Sequence, residues 1–178
     1  MGAVVIPTPN LDLVLQTPDE VLAWVAAMSP ADRAEVSPDW LARVRASAPG
    51  DPWALSFSMV DRARGAVVGG CGYKGPPDAA GCVEIAYGVE PDHRGRGYAT
   101  EAARALVAFA FDRGAARLVR AHTRPENAAS ARVVAKCGFV WVGEVVDPED
   151  GLVWRWERAR GPAEAGAGPV PAAPRGPG

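Results

Sequence analysis

One stretch of the 178-residue chain has the letters of an anion site: Val89-Glu90-Pro91-Asp92-His93-Arg94-Gly95-Arg96-Gly97-Tyr98-Ala99-Thr100-Glu101. A strand pattern ends there and a helix pattern begins. The first backbone N–H groups of a helix have no partner inside it. Together with the helix dipole they favour a bound anion. Gly95 and Gly97 would let a phosphate come close to the backbone, and Arg94 and Arg96 put positive charge beside it. The same letters also suit a strand-to-helix turn whose glycines serve backbone shape alone. Two other phosphate loops fail on their letters. A Walker loop needs Gly-Lys followed by Ser or Thr, and the chain has none. A dinucleotide fingerprint needs Gly or Ala where Thr100 stands, and it opens a βαβ unit.

The elements that must hold this loop can be read from periodicity and caps. Residues 1–10 read as a flexible lead-in with prolines, and 11–15 as a short strand. Thr17-Pro18-Asp19-Glu20 has the form of a capping box, with Val21, Val25 and Met28 on one helical face. Ser37-Pro38-Asp39 repeats the capping logic before Trp40, Leu41 and Val44. Trp53, Leu55, Phe57 and Met59 alternate as in a half-buried strand. A Gly-rich strand follows over 66–74, then a third over 82–89. In that third strand Val83, Ile85, Tyr87 and Val89 share one face, and Glu84, Ala86 and Gly88 the other.

Beyond the loop the pattern is a helix over 98–113 closed by Gly114, a strand over 118–123, and a helix over 127–137. Asn127 caps this second helix and Gly138 lies past its end. Strands over 139–145 and 152–157 close the pattern. An antiparallel meander joined to strand–helix–strand implies an α+β fold, a mixed and mostly antiparallel sheet with helices on both faces. The domain spans 11–158, and the Gly/Pro/Ala stretch 159–178 reads as a disordered tail.

Composition excludes several classes. Lys plus Arg is 19 against 21 Asp plus Glu, a net charge of -2, so the chain lacks the basic excess of a nucleic-acid binder. No apolar run approaches the roughly 20 residues that span a bilayer, and no signal peptide is visible, so the expectation is a cytoplasmic protein with no membrane partner. Cys71, Cys82 and Cys137 are widely spaced and only two histidines are present, which argues against a metal site or a disulfide framework.

Arg94-Gly95-Arg96-Gly97-Tyr98-Ala99 resembles the R/Q-x-x-G-x-G/A loop of the GNAT superfamily of acyl-CoA-dependent N-acetyltransferases. Pro125-Glu126-Asn127-Ala128-Ala129-Ser130, ending in Lys136-Cys137-Gly138-Phe139, is similar to the N-x-x-S…K-x-G-F segment of the RimJ/RimL-type branch. Val83-Glu84-Ile85-Ala86-Tyr87 is similar to that branch's strand entering the loop. The resemblance covers residues 11–158 and implies a GNAT-like fold using acetyl-CoA as co-substrate. Its pyrophosphate would sit on Arg94, Gly95, Arg96, Gly97, Tyr98 and Ala99. Its pantetheine arm would pair with Tyr87, Gly88 and Val89 and reach Asn127, in a V-shaped opening toward strand 118–123. A backbone N–H near Val89 would stabilise the oxyanion.

The resemblance also implies a division of proton work. An amine acceptor is mostly protonated at neutral pH, with a lysine-like value near about 10.4, and must lose a proton before it attacks. Glu84 matches the acidic position proposed as base in this branch, with His122 on the neighbouring strand as the lesser candidate. Many GNAT enzymes have a tyrosine where this chain has Val134. Ser130 is the branch's substitute, one helical turn from Asn127, either as the acid or as a group that orients the sulfur. Without the resemblance, Glu84 reads as a solvated or ion-paired strand carboxylate and Ser130 as a helix cap.

The implied reaction is direct acetyl transfer to a protein N-terminus or a small-molecule amine. The alternative is a CoA-binding sensor with the same fold and no turnover. Trp154 and Trp156 read as core or as the face of a homodimer. The turn carrying Asp147, Glu149 and Asp150 reads as a hydrophilic hairpin that would attract a cationic acceptor if it borders the cleft.

Overall fold

The computed structural model describes residues 4–161, and the tail expectation for 162–178 lies outside them. The described residues form an eight-stranded sheet: β1 (Val5–Pro7), β2 (Leu11–Leu15), β3 (Phe57–Asp61), β4 (Val67–Tyr73), β5 (Cys82–Val89), β6 (Leu118–Thr123), β7 (Val140–Asp147) and β8 (Gly151–Ala159). Their order is β1-β2-β3-β4-β5-β6-β8-β7. Every neighbouring pair is antiparallel except β5–β6. A parallel pair needs a crossover, and α4 (Tyr98–Asp112) supplies it. The mixed, mostly antiparallel sheet of the sequence reading is thus present.

Helix α4 is the central packing element. Tyr98, Ala102, Ala103, Leu106, Val107, Ala110 and Phe111 are buried, at the three- and four-residue spacing of one helical stripe. They meet Leu11, Leu13, Phe57, Met59, Cys71, Tyr73, Val83 and Ile85 in one core. Tyr73 Oη donates to the Leu106 carbonyl at 2.5 Å, which ties sheet to helix. Helix α5 (Ala128–Lys136) packs against α4 and β6. Helices α1 (Pro18–Ala27) and α3 (Pro38–Ala46) pack on each other and add Val21 and Val44 to the core. The capping box forms as its letters predict: Glu20 N–H donates to Thr17 Oγ1 and Thr17 N–H to Glu20 Oε2.

Four expectations are corrected. Residues 5–7 are not a free lead-in but the edge strand β1, paired with β2. Glu101 of α4 anchors the following turn, accepting from Thr8 Oγ1, Asn10 N–H, Asn10 Nδ2 and Leu11 N–H. Burial would raise the Glu101 carboxyl, but the Asn10 and Thr8 donors outweigh it and hold it below its ordinary value. Pro7 is tolerated because β1 is an edge. Second, strand β3 starts at Phe57, not Trp53. Asp51 Oδ1 accepts from Trp53 N–H, and the indole packs on Tyr73 with ring centroids 4.7 Å apart. Third, β8 runs on to Ala159, opposite Leu118, so residue 159 belongs to the sheet. Fourth, a short helix α2 (Pro30–Ala34) capped by Ser29 was missed, and it buries no residue that an apolar pattern could report.

Candidate active site

The site follows from how β5 ends. Lys74 N–H donates to the Glu84 carbonyl, and Glu90 N–H donates to the Val68 carbonyl. Peptide groups alternate sides along a strand, so the even-numbered residues of β5 turn theirs toward β4. The odd-numbered residues therefore direct theirs toward β6. The β5–β6 ladder stops at Ile85–Ala121, although β5 continues to Val89 and β6 to Thr123. Past that point the two strands part, and the peptide groups of Tyr87 and Val89 line the gap. The Val89 carbonyl accepts from Arg94 Nε at 3.0 Å.

The gap leads to the glycine loop. A 3-10 turn (Pro91–His93) is followed by Gly95 at φ 75° and Gly97 at φ 82°. L side chains avoid that region, and a Cβ built on either glycine meets nothing within 4 Å. The glycines are thus required by backbone shape, and the space beside them is open. Gly97 is the N-cap of α4 and supplies no side-chain cap. The first helical bond runs from Glu101 N–H to the Gly97 carbonyl. The N–H groups of the first turn are therefore free of intrahelical acceptors. Tyr98 sends its side chain into the core, where Oη donates to Asp61 at 2.7 Å. Only its backbone faces the loop. That bond comes first among the causes holding the Asp61 carboxyl down to about 2, against the pull of burial and with help from Ala63 N–H and Arg64. A cleft of about 650 Å³ opens beside this helix end, lined by Gly97, Thr100, Arg104 and Lys136 among others.

On the face covered by α4 and α5, Tyr87 and Ser130 meet. Their hydroxyls are 3.0 Å apart. Asn127 Oδ1 accepts from Ser130 N–H at 3.0 Å, so its side chain caps α5. Burial raises the Tyr87 phenol above its ordinary value, partly offset by the Ser130 bond.

On the other face, Glu84 stands in a polar cluster. Its Oε1 lies 2.9 Å from Lys74 Nζ and 3.1 Å from His122 Nδ1. Arg155 Nε donates to His122 Nε2 at 3.2 Å. Glu84 Oε1 and His122 Nδ1 are both buried, and neither makes a hydrogen bond, so their approach is a close polar contact with unfilled hydrogen-bonding capacity on both sides. Asp147 Oδ2 lies 3.7 Å from the same Nδ1, and Asp150 Oδ2 lies 3.2 Å from Lys74 Nζ. Burial would raise the Asp147 carboxyl, but the N–H groups of Asp150 and Glu149, with Lys74 and His122, hold it low. Burial would lower the Lys74 ammonium, but Glu84 and then Asp150 outweigh it and hold it high. Arg120 is engaged by Glu157 at 2.8 Å.

The sequence-predicted residues thus fall into two groups on opposite faces of the sheet, meeting at the gap. Tyr87, Val89, the loop, Asn127 and Ser130 follow one side of it, and Glu84 lies on the other; Gly88, expected on the arm, instead pairs with Gly70 of β4 and turns its peptide groups away from the gap. Arg96 is exposed. Sequence reasoning kept Glu84 and His122 as rivals, and the structure makes them neighbours, 3.1 Å apart. It missed Lys74 and the Tyr87 hydroxyl altogether. Alternation was the available signal, since Lys74 directly follows β4 and donates its N–H to the Glu84 carbonyl. Cys71, Cys82 and Cys137 are free and buried, and burial pushes the Cys71 thiol up to about 12. Among the described residues, no group of His, Cys, Asp or Glu has metal-ligating geometry, and no helix is long and apolar enough to cross a membrane.

Residues 8–140 match the acetyltransferase (GNAT) domain, and the chain belongs to that family. It is 33% identical over 85 residues to the uncharacterized N-acetyltransferase YjdG of Bacillus subtilis (strain 168), covering 48% of this chain and 51% of the relative. The chain thus spans about half the length of the curated relatives it matches, the second being 28% identical over 105 residues, 54% of its own length. Among solved structures, it resembles RimL, a ribosomal L7/L12 alpha-N-protein acetyltransferase in complex with coenzyme A, at TM-score 0.67 and 18% identity. That match covers 88% of this chain and 98% of the other. The ribosomal-protein-S5-alanine acetyltransferase of Vibrio fischeri matches at TM-score 0.66 and 16% identity, covering 88% and 96%. These likenesses show the fold.

Proposed function

We propose that the chain moves an acetyl group from acetyl-CoA to a primary amine, by direct attack while both are bound. The observation that carries this reading is the gap past Ile85–Ala121. It joins an uncapped helix start at one end to a half-buried carboxylate at the other. The first-turn N–H groups and Gly95 and Gly97 take the pyrophosphate, with Arg96 beside them. The peptide groups of Tyr87 and Val89 accept the pantetheine arm as an added strand would be accepted. The Val89 N–H faces the gap and stabilises the oxyanion of the tetrahedral intermediate.

Glu84 takes the proton from the acceptor ammonium, directly or through one water, with His122 Nδ1 3.1 Å from its Oε1. A positioned base contributes roughly 100- to 10,000-fold. Ser130 stands on the sulfur side, where it donates to the departing thiolate with the Tyr87 hydroxyl behind it. The acceptor is a cation, because Glu84, Asp147 and Asp150 converge on one seat. A protein N-terminus fits the RimL likeness. A small polyamine fits another neighbour, a spermidine N-acetyltransferase chimera from Vibrio cholerae and hSSAT, at TM-score 0.65 and 16% identity.

The test has two arms. Calorimetry with coenzyme A should show binding that Gly97→Asp removes. Mass detection of acetylated products over a panel of amines and N-terminal peptides should then show turnover. Binding without any product would leave the sensor reading, and no binding would end both.

A further inference from the structure

Lysine is scarce in this chain. Of its 19 Lys and Arg residues only Lys74 and Lys136 are lysine. The ion pairs Arg62–Asp12, Arg64–Asp61 and Arg120–Glu157 all use arginine. Arginine is the better carboxylate partner, because its fork of donors is rigid. It also stays protonated, so it is no nucleophile. At the candidate base, the partner is instead a primary amine. Lys74 Nζ lies 2.9 Å from Glu84 Oε1 and 3.2 Å from Asp150 Oδ2. A base must stand within about 2.6–3.2 Å of the group it deprotonates, and Lys74 satisfies that for Glu84 without any bound acceptor. Glu84 precedes the last β5–β6 pair by one residue, about 3.4 Å along the strand. The amine is therefore at the mouth of the gap, on a flexible four-carbon stem. Lys136 is exposed at the end of α5 and has no carboxylate partner of this kind among the described residues.

We propose that Lys74 is an internal acceptor, acetylated by its own active site, and that this clears the seat for an external amine. The inference rests on the acetyltransferase reading above. Glu84 takes one proton from the Lys74 ammonium and passes it to solvent. The neutral Nζ attacks the thioester carbon, the N–C bond forms and the C–S bond breaks. The thiolate leaves with the second proton, giving an N-acetyl-lysine and coenzyme A. The product is neutral, so both ion pairs of Lys74 are lost, and Glu84 and Asp150 are free for a cationic acceptor.

The full chain is incubated with acetyl-CoA and no acceptor, and modified sites are mapped by mass spectrometry. One acetyl group is expected, on Lys74, at a rate per molecule independent of protein concentration. Glu84→Gln should slow it by about 100-fold or more, Lys74→Arg should abolish it, and Lys136 reports uncatalysed acetylation. A second measurement needs no coenzyme: competitive labelling with acetic anhydride should find Lys74 slower than Lys136, with Glu84→Gln narrowing the difference. The proposal is overturned if the protein acetylates an external amine while Lys74 stays unmodified. Equal labelling of both lysines, indifferent to Glu84→Gln, also overturns it, as does a per-molecule rate that rises with protein concentration. Failure to bind coenzyme A or to acetylate any amine would instead remove the functional reading on which it stands.

Discussion

The two sides of the gap between β5 and β6 are built from different material. On the side of α4 and α5, the recognition surface is mostly main chain: the peptide groups of Tyr87 and Val89 and the first turn of α4 behind Gly97. On the opposite face it is side chain: Glu84, His122, Lys74, Asp147 and Asp150, held by one another at 2.9–3.7 Å. Main chain can grip a diphosphate and an amide-bearing arm, whose chemistry is the same in every reaction cycle. Side chains are free to differ, so the proposed function gives them the acceptor and the proton traffic. The donor side should thus fail by losing affinity, and the acceptor side by losing rate.

The sharpest way to break this division is Glu84→Gln. Turnover should fall about 100- to 10,000-fold, with coenzyme A affinity nearly intact by calorimetry. The loss should shrink at high pH, as more of the acceptor amine is already neutral. Wild-type rates would move the base to His122 or water. Gly97→Asp should do the reverse, weakening coenzyme A binding by about 100-fold or more. It sets a carboxylate against a diphosphate, a clash worth several kcal/mol, at a φ of 82° that side chains avoid. Unchanged affinity would remove the loop assignment.

Tyr87→Phe tests where the division lies, because the proposal gives the Tyr87 backbone to the arm while its hydroxyl meets Ser130. The loss of one hydrogen bond predicts a drop in kcat of about three- to tenfold with affinity unchanged. A change in affinity alone would make the hydroxyl structural.

Two smaller effects concern the frame around the loop. Glu101→Ala should free the turn over residues 8–11 and cost about 1–2 kcal/mol in denaturant unfolding. No loss would mean that β1 holds by strand pairing alone. Asp61 has a folded carboxyl value of about 2 against an ordinary 3.8. Its contribution to stability is therefore present above about pH 4 and lost as pH falls toward 2. The melting temperature of Asp61→Asn should change less than that of the wild type across this window, and parallel curves would sink the assignment.

Legibility in the sequence followed the range of the interactions. Strands β5 and β6 appear at the residues their alternation predicts, and Thr17, Ser37 and Asn127 cap as their letters imply. Each depends on neighbours within four residues. Strand β1 was hidden because three residues with a proline carry no periodicity, and its partners lie in β2 and, through the next turn, in α4. The motif letters likewise singled out Glu84 and Ser130 as candidates, but not what each touches. The Tyr87–Ser130 contact spans 43 positions and the Arg155–His122 contact 33, distances at which no local pattern speaks.

What the sequence determined by itself is therefore the local stereochemistry: where helices start, where glycine permits a positive φ, and which strand residues share a face. The tertiary structure decided the register between strands. That register parts β5 from β6 after Ile85, sets His122 against Glu84, and seats the ammonium of Lys74 on the same carboxylate. Register follows from the packing of the whole sheet against α4 and α5, and no short window of residues contains it.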